Sequence, residues 1–425
     1  MKFYTEEKKQ LPIKDEVDVL VCGAGPAGVC AAIKAARMGA KTMIIEQQGV
    51  VGGIATAGLM SHWTGNANSK LYKEILLEST KLNEGEDKEE LSVLIEPEKL
   101  KTLFLKMLSD AGAKILLYTF VSDVVKEGDK VTGVITENKS GRQVILAKTV
   151  IDATGDGDAA YKAGAEFTLG RESDHKMQPA TIMFKVGGVD LKRAVFLGSF
   201  ESTYETPNGE LQALAKKHIP FPAGHVLLYP TTLPGVVTCN MTNCIDIDGT
   251  NADDLTKAEI VCRSQFEYIA KFLQKFVPGY ENCFIISSAS LMGIRETRHF
   301  KGEYVLNEND ILASRVFEDW VVRGAKFNFD VHNISGSGLD ETGVQKKFPK
   351  ISGYTIPYRS LVPIKIDALL LAGRNISGTH MAHSNYRVMP ICAAMGEAAG
   401  AAAAIACKND ILVRSVDAKE IQKYL

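Results

Sequence analysis

A chain of 425 residues can bury two or three domain cores, and 45% hydrophobic with 24% charged residues is an ordinary globular composition. With 49 basic against 51 acidic residues the net charge is −2, which leaves no electrostatic footprint for nucleic acid or an anionic membrane. The eight cysteines are scattered without Cys-x-x-Cys, and Cys239 and Cys244 lack neighbouring zinc ligands. A reduced, cytoplasmic protein is expected. The polar stretch Met1–Lys14 has no signal-peptide core, and no membrane span is expected, because Glu397 interrupts the short Ala-rich stretch Ala393–Cys407.

Val17–Cys22 is an apolar run that predicts a strand and breaks into Gly23-Ala24-Gly25-Pro26-Ala27-Gly28. Ala31, Ala32, Ile33, Ala35 and Ala36 then predict a helix, and Thr42–Ile45 a second strand ending in Glu46. Strand, Gly-x-Gly-x-x-Gly turn, helix, strand and acid is the order of a dinucleotide-binding βαβ unit. Gly23 permits the sharp turn, Gly25 lets backbone approach a pyrophosphate, and Gly28 lets helix pack on strand. Pro26 and Ala27 open the helix whose free N–H groups face the phosphates. Glu46 is suited to accept from a ribose 2′-OH.

A second Gly-rich loop, Gly49–Gly58, contains Gly52 and Gly53. A helix near Leu71–Thr80 and an acidic loop, Asn83–Glu90, are predicted next. Pro97 starts a helix carrying Leu100, Leu103, Phe104, Met107 and Leu108, which ends at Ala111-Gly112. Ile115–Tyr118 predicts a strand, Val121–Ala147 an antiparallel meander, and Thr149–Asp152 a further strand delivering Ala153-Thr154-Gly155-Asp156-Gly157-Asp158. The middle third is richer in Pro, Gly and Thr, with one long amphipathic helix from Asp253 through Ile260, Phe266, Ile269, Phe272, Leu273 and Phe276. A late strand, Ala368–Ala372, meets Gly373-Arg374-Asn375, and an Ala/Gly helix is predicted over Pro390–Cys407.

These motifs, with Gly293-Ile294-Arg295-Glu296-Thr297-Arg298 and Ile356-Pro357-Tyr358-Arg359, resemble the bacterial FAD-dependent oxidoreductase family. Those proteins are two-dinucleotide-type flavoproteins distantly related to the fumarate reductase and succinate dehydrogenase flavoproteins. The resemblance implies FAD as cofactor, with Asp156 near the ribityl chain and Gly373 and Arg374 over its far end. It also implies that the helix N-terminus near Pro390 points at the flavin N1–C2=O, where its dipole favours the anionic reduced ring. The expected architecture is α/β. A Rossmann-like FAD domain (parallel sheet plus β-meander) is built from residues 1–170 and 351–425, and an α+β substrate or cap domain, 171–350, is inserted.

The expected chemistry is hydride transfer between flavin N5 and a small organic substrate, by hydroxyl or amine oxidation or by reduction of an activated C=C bond. Rival readings are a monooxygenase using NAD(P)H and oxygen, and a non-catalytic FAD-binding protein. No second Gly-x-Gly-x-x-Gly follows a strand, so electrons are expected to pass through the substrate, a transient donor or acceptor, or oxygen; a homo-oligomer stays open. His380 and His383 are acid/base candidates beside Arg387, an anion or oxyanion clamp, although the same residues could hold flavin carbonyls or pack the loop. Arg295 is a second substrate contact, with Glu296 and Arg298 expected to pair, and His62-Trp63 could face the flavin. His332, Tyr354 and Tyr358 read as structural. No metal is expected, because His380-x-x-His383 lacks an evident third ligand.

Overall fold

The computed structural model describes residues 2–85, 88, 90–340 and 352–425. The expected domain boundary at 350/351 and residues 86, 87 and 89 of the acidic loop lie outside them.

The first apolar run forms strand Ile13–Cys22, and the alanine-rich segment forms helix Pro26–Arg37, with Pro26 in the first turn where its missing N–H costs nothing. In the seven-stranded main sheet, Lys114–Leu116, Thr42–Ile45, Ile13–Cys22 and Gly141–Asp152 lie side by side in parallel. Leu369–Leu371, from the other end of the chain, pairs in parallel with the end of Gly141–Asp152. The meander strands Lys130–Asn138 and Phe120–Glu127 complete the sheet in antiparallel pairing. Two strands predicted separately, the last of the meander and Thr149–Asp152, are one strand in the structure. Burial along it changes from partial to complete, as expected where a half-solvated meander passes into a parallel sheet covered on both faces.

The Ala/Gly helix runs over Met389–Asn409 and packs on Pro26–Arg37. A Cβ on Gly396 would lie 2.0 Å from the Ala27 carbonyl oxygen, and one on Gly400 2.3 Å from that of Ala31. The two helices therefore touch backbone to backbone. At 21 residues this helix is longer than expected, and by length and composition it could cross a membrane; it is nevertheless buried in the protein core. Its one acid, Glu397, is paired with Lys34 at 3.1 Å and accepts from Ser69 Oγ at 2.6 Å. Ser69 in turn caps helix Lys70–Glu84.

A second hydrophobic cluster, drawn from Ala180–Ala289, surrounds a four-stranded antiparallel sheet of Leu228–Pro230, Val237–Cys239, Phe184–Gly187 and Phe284–Ser288. The long helix expected here is two helices, Ala252–Ser264 and Phe266–Phe276. Ile260, which the expected stripe included, is 66% exposed, and the first of the two helices buries Ala258 and Cys262 instead. At the junction the buried Gln265 side chain pairs with the Asn243 backbone through two bonds of 2.9 Å.

Candidate active site

The C-terminal ends of the parallel strands converge at Cys22, Ile45, Asp152 and Leu371, the edge where open parallel sheets bind ligands. Gly23 has φ +91°, and a Cβ there would lie 2.5 Å from the Ala153 carbonyl oxygen; at Gly28 it would lie 1.9 Å from that of Gly23. Gly25 differs: its φ is −70° and a Cβ would meet nothing within 4 Å. The open space at Gly25 lies at the N-terminus of helix Pro26–Arg37, whose first amides have no side-chain cap. Gly53 sits opposite, its Cβ position 3.0 Å from Gly25 Cα, and Gly52 donates to the Ala24 carbonyl at 2.7 Å.

Glu46 lines a cleft with Gly23, Gln47, Thr154 and Asp158, and accepts from the Ala24 and Gln48 amides at 2.7 and 2.8 Å. Burial raises its carboxyl above the usual range against those hydrogen bonds. Asp156 accepts from Arg374 Nη2 at 2.9 Å and from Thr297 Oγ1 at 2.7 Å. Arg374 Nη1 is buried without a partner among the described residues, and Gly373 turns the chain at φ +104°. Pro390 stands in the first turn of the Ala/Gly helix, whose N-terminus is likewise uncapped. An open approach to backbone amides, the Glu46 carboxylate in the cleft after the second strand, and a guanidinium N–H with no partner among the described residues together fit an acidic dinucleotide such as FAD.

Next to this cleft is a cavity of about 360 Å³. Its polar wall includes His62, Tyr229, Asn240, Arg295, His332 and Arg387, together with Asp330. Arg387 Nη2 donates to Asp330 Oδ2 at 2.8 Å, and His332 Nε2 lies 3.3 Å from the same oxygen. Burial would raise the Asp330 carboxyl, but His332, Arg387 and Arg295 hold it well below the usual carboxylate range. Arg295 Nη1 donates to the Pro179 carbonyl at 2.6 Å. Burial and the nearby Arg387 bring the Arg295 guanidinium down to about 10, still cationic at neutral pH. Burial also lowers His62, and with the Arg295 charge it takes His332 down to about 4.

The structure brings Arg295, Arg387 and His62 together at this wall and leaves His380 and His383 off it. Those two belong to a short helix, His380–Tyr386, where a loop was expected. The expected Glu296–Arg298 pair is absent. Glu296 points inward, accepting at Oε1 from His299 Nε2 (2.8 Å) and meeting His380 Nδ1 (2.6 Å), while Oε2 accepts from the Gln178 amide. Burial would raise its carboxyl; the His299 and His380 hydrogen bonds outweigh that and hold it well below the usual range. Arg298 instead pairs with Asp158 at 3.0 Å and lies 4.3 Å over the Tyr161 ring. Glu296 precedes strand Arg298–Phe300, and what separates the two side chains is the segment each one meets: His380 and the Gln178 amide at Glu296, Asp158 and the Tyr161 ring at Arg298. His383 is fully buried beside His299, with burial and then His299 pushing it down. Glu296, His299 and His383 bring three potential metal donors within 4.8 Å of one another; His380 is not among them, so this group is not the His380-x-x-His383 pair of the sequence. Asp330, His332, Tyr229 and Asn240 line the cavity although no spacing or periodicity in the sequence marks them; His332, structural by sequence, is part of this wall.

The buried imidazoles give stability an acid-sensitive limb. Burial lowers His225 and His332 from 6.5 to about 4. As pH falls from 6.5 toward 4 the unfolded chain takes up protons that the native chain refuses, so stability declines through that window. Asp152, raised by burial from 3.8 to about 6, acts in the opposite sense, since its native carboxyl is protonated first. Burial also lowers His62 and His383, which act in the first sense, and raises Glu46 and Asp158, which act in the second; the imidazoles are the larger set, so the net effect of acid is a loss of stability. The urea midpoint is expected to be lower at pH 5 than at pH 7, with a smaller difference in His332→Gln; an unchanged or higher midpoint at pH 5 contradicts this.

The fold and this cleft define a dinucleotide-binding flavoprotein. A family model described as FAD dependent oxidoreductase matches residues 18–425, and the chain belongs to that family of enzymes, with FAD as cofactor. Curated relatives include the thiamine thiazole synthase of Methanococcus maripaludis, 35% identical over 167 residues, covering 37% of this chain and 61% of that protein. The digeranylgeranylglycerophospholipid reductase of Picrophilus torridus is 30% identical over 159 residues, 32% of this chain and 39% of that protein. The matched part of the chain thus spans about three fifths of the thiazole synthase and less of the reductase. Among solved structures, a geranylgeranyl bacteriochlorophyll reductase-like protein of Thermoplasma acidophilum aligns with a TM-score of 0.49 at 16% identity, over 96% of this chain and 82% of that one.

Proposed function

We propose that this enzyme transfers a hydride between FAD and a small organic substrate held in the cavity of His62, Arg295, Asp330, His332 and Arg387. The observation that carries this reading is the position of that cavity. It is lined by Ile54, directly after Gly53, and by Val388 and Met389 at the uncapped N-terminus of the Ala/Gly helix. It therefore adjoins the helix N-terminus expected to face the flavin ring and the second Gly-rich loop, expected beside the pyrophosphate and ribityl side of the cofactor. Bound FAD supplies a two-electron hydride donor or acceptor.

In this proposal residues 171–350 roof the site, and Gly23, Gly25, Pro26, Ala27, Gly28, Glu46, Gly52, Gly53, Asp156, Gly373, Arg374 and Pro390 hold the cofactor. Arg295 and Arg387 orient the substrate. Proton transfer falls to His62 and His332, neutral imidazoles at the cavity wall, each able to accept a hydroxyl or ammonium proton. His380 and His383 act as positioning residues through Glu296 and Arg387. An anaerobic visible titration of the FAD-loaded enzyme with hydroxy acids, alcohols, amines and NAD(P)H tests the reading. Bleaching by a metabolite, slowed about a hundredfold or more in His332→Gln with FAD retained, is expected. If only NAD(P)H or dithionite bleaches the flavin, and no electron-accepting metabolite then restores it, the hydride reading is wrong.

A further inference from the structure

We propose that the cavity binds the carboxylate of a small monoanionic acid with an apolar body, and that Arg295 is its anchor; this rests on the reading that the cavity is the substrate site.

The charges along the wall do not balance. Arg387 is neutralised by Asp330 through their 2.8 Å ion pair. Among the described residues Arg295 forms no ion pair: its guanidinium donates to a neutral carbonyl, that of Pro179, and Asp330 acts on it only at longer range. The wall thus carries one cation that no described residue matches. A guanidinium held in a poorly solvated cavity without a counter-ion is disfavoured, and a bound anion offsets much of that cost. Guanidinium N–H groups in a planar fork match the two oxygens of a carboxylate. Arg387 adds a buried Nε–H that has no partner among the described residues.

The rest of the lining selects the kind of acid. Met60, Met183, Leu197, Phe200, Leu227 and Phe327 form an apolar wall. The cavity, about 360 Å³, has room for roughly ten non-hydrogen atoms. A single unmatched cation favours a monoanion over a phosphate dianion, which would leave one negative charge buried and unpaired. His62 and Tyr229, whose rings meet edge to face with centroids 4.7 Å apart, add polar groups to this lining beside which a hydroxyl or amine on the acid can sit.

The test uses the FAD-loaded enzyme titrated with benzoate, phenylacetate, hexanoate, benzamide and inorganic phosphate, followed by the visible flavin band and by calorimetry. At least one acid is expected to bind saturably and about tenfold or more tighter than benzamide or phosphate. Arg295→Gln is expected to remove that preference with FAD still bound, and Arg295→Lys to keep part of it. Equal binding of benzamide, tighter binding of phosphate, no binding of any acid, or an unchanged preference in Arg295→Gln overturns the proposal. The two readings fail separately. Acid binding without reduction by any oxidisable acid, or reoxidation by any unsaturated one, leaves the anion site and removes hydride transfer. Bleaching by a neutral alcohol or amine while no acid binds does the reverse.

Discussion

Gly25→Ala is expected to fold like the parent and to lose FAD. The backbone at Gly25 is extended, and a methyl group there meets no protein atom within 4 Å. Alanine in an allowed conformation costs the fold nothing and restricts the unfolded chain, so apo stability should hold or rise by about 0.4–1 kcal/mol. The methyl instead occupies the space through which a pyrophosphate reaches the helix amides. A clash of about 1–3 kcal/mol lowers affinity roughly tenfold to a hundredfold. Gly28→Ala is the contrasting case: its Cβ would fall 1.9 Å from the Gly23 carbonyl oxygen, and backbone cannot move aside as a side chain can. That variant should lose about 1–3 kcal/mol or more of stability even without cofactor. Urea unfolding of the apoproteins with FAD titration of each separates the two outcomes. A Gly25→Ala protein with parental FAD affinity would put the pyrophosphate elsewhere.

Glu296→Ala should be the most destabilising change around the site. The carboxylate is fully buried and meets His299, His380 and the Gln178 amide, so it joins three separate segments of chain. Removing it strands two imidazoles and an amide in a region that excludes water. Breaking a buried pair by deleting one partner costs about 3–5 kcal/mol. Glu296→Gln, which keeps the shape and an acceptor oxygen, should lose about half as much. Denaturant unfolding of the holoproteins measures both. A loss below about 1 kcal/mol for the alanine variant would mean that the imidazoles are satisfied without the carboxylate.

Legibility in the sequence follows how local the physics is. The βαβ unit is readable because the constraints at Gly23 and Gly28 arise within one turn and its neighbouring strand. The close packing of the Ala/Gly helix is readable for a similar reason, since only small residues allow that approach. The middle third is less so: the stripe from Ile260 to Phe276 satisfies a helical period on paper, but Ile260 faces solvent, and only the packed neighbours decide where the stripe starts.

The candidate site divides in the same way. Arg295, Arg387 and His62 stand out as concentrations of polar side chains beside apolar runs, which a sequence displays. Asp330 and His332 do not, because what marks them is the arrival of Arg387, from 57 residues away in the chain, at the Asp330 carboxylate. Nor can adjacency say that Glu296 turns inward to His380 and Arg298 away to Asp158, since each direction is set by a partner from a distant segment. The sequence by itself determined the cofactor class, because the backbone-approach constraints of the βαβ unit are written in single residues. Only the tertiary structure decided which charges remain unpaired, because pairing depends on side chains from distant segments meeting in a space closed to water.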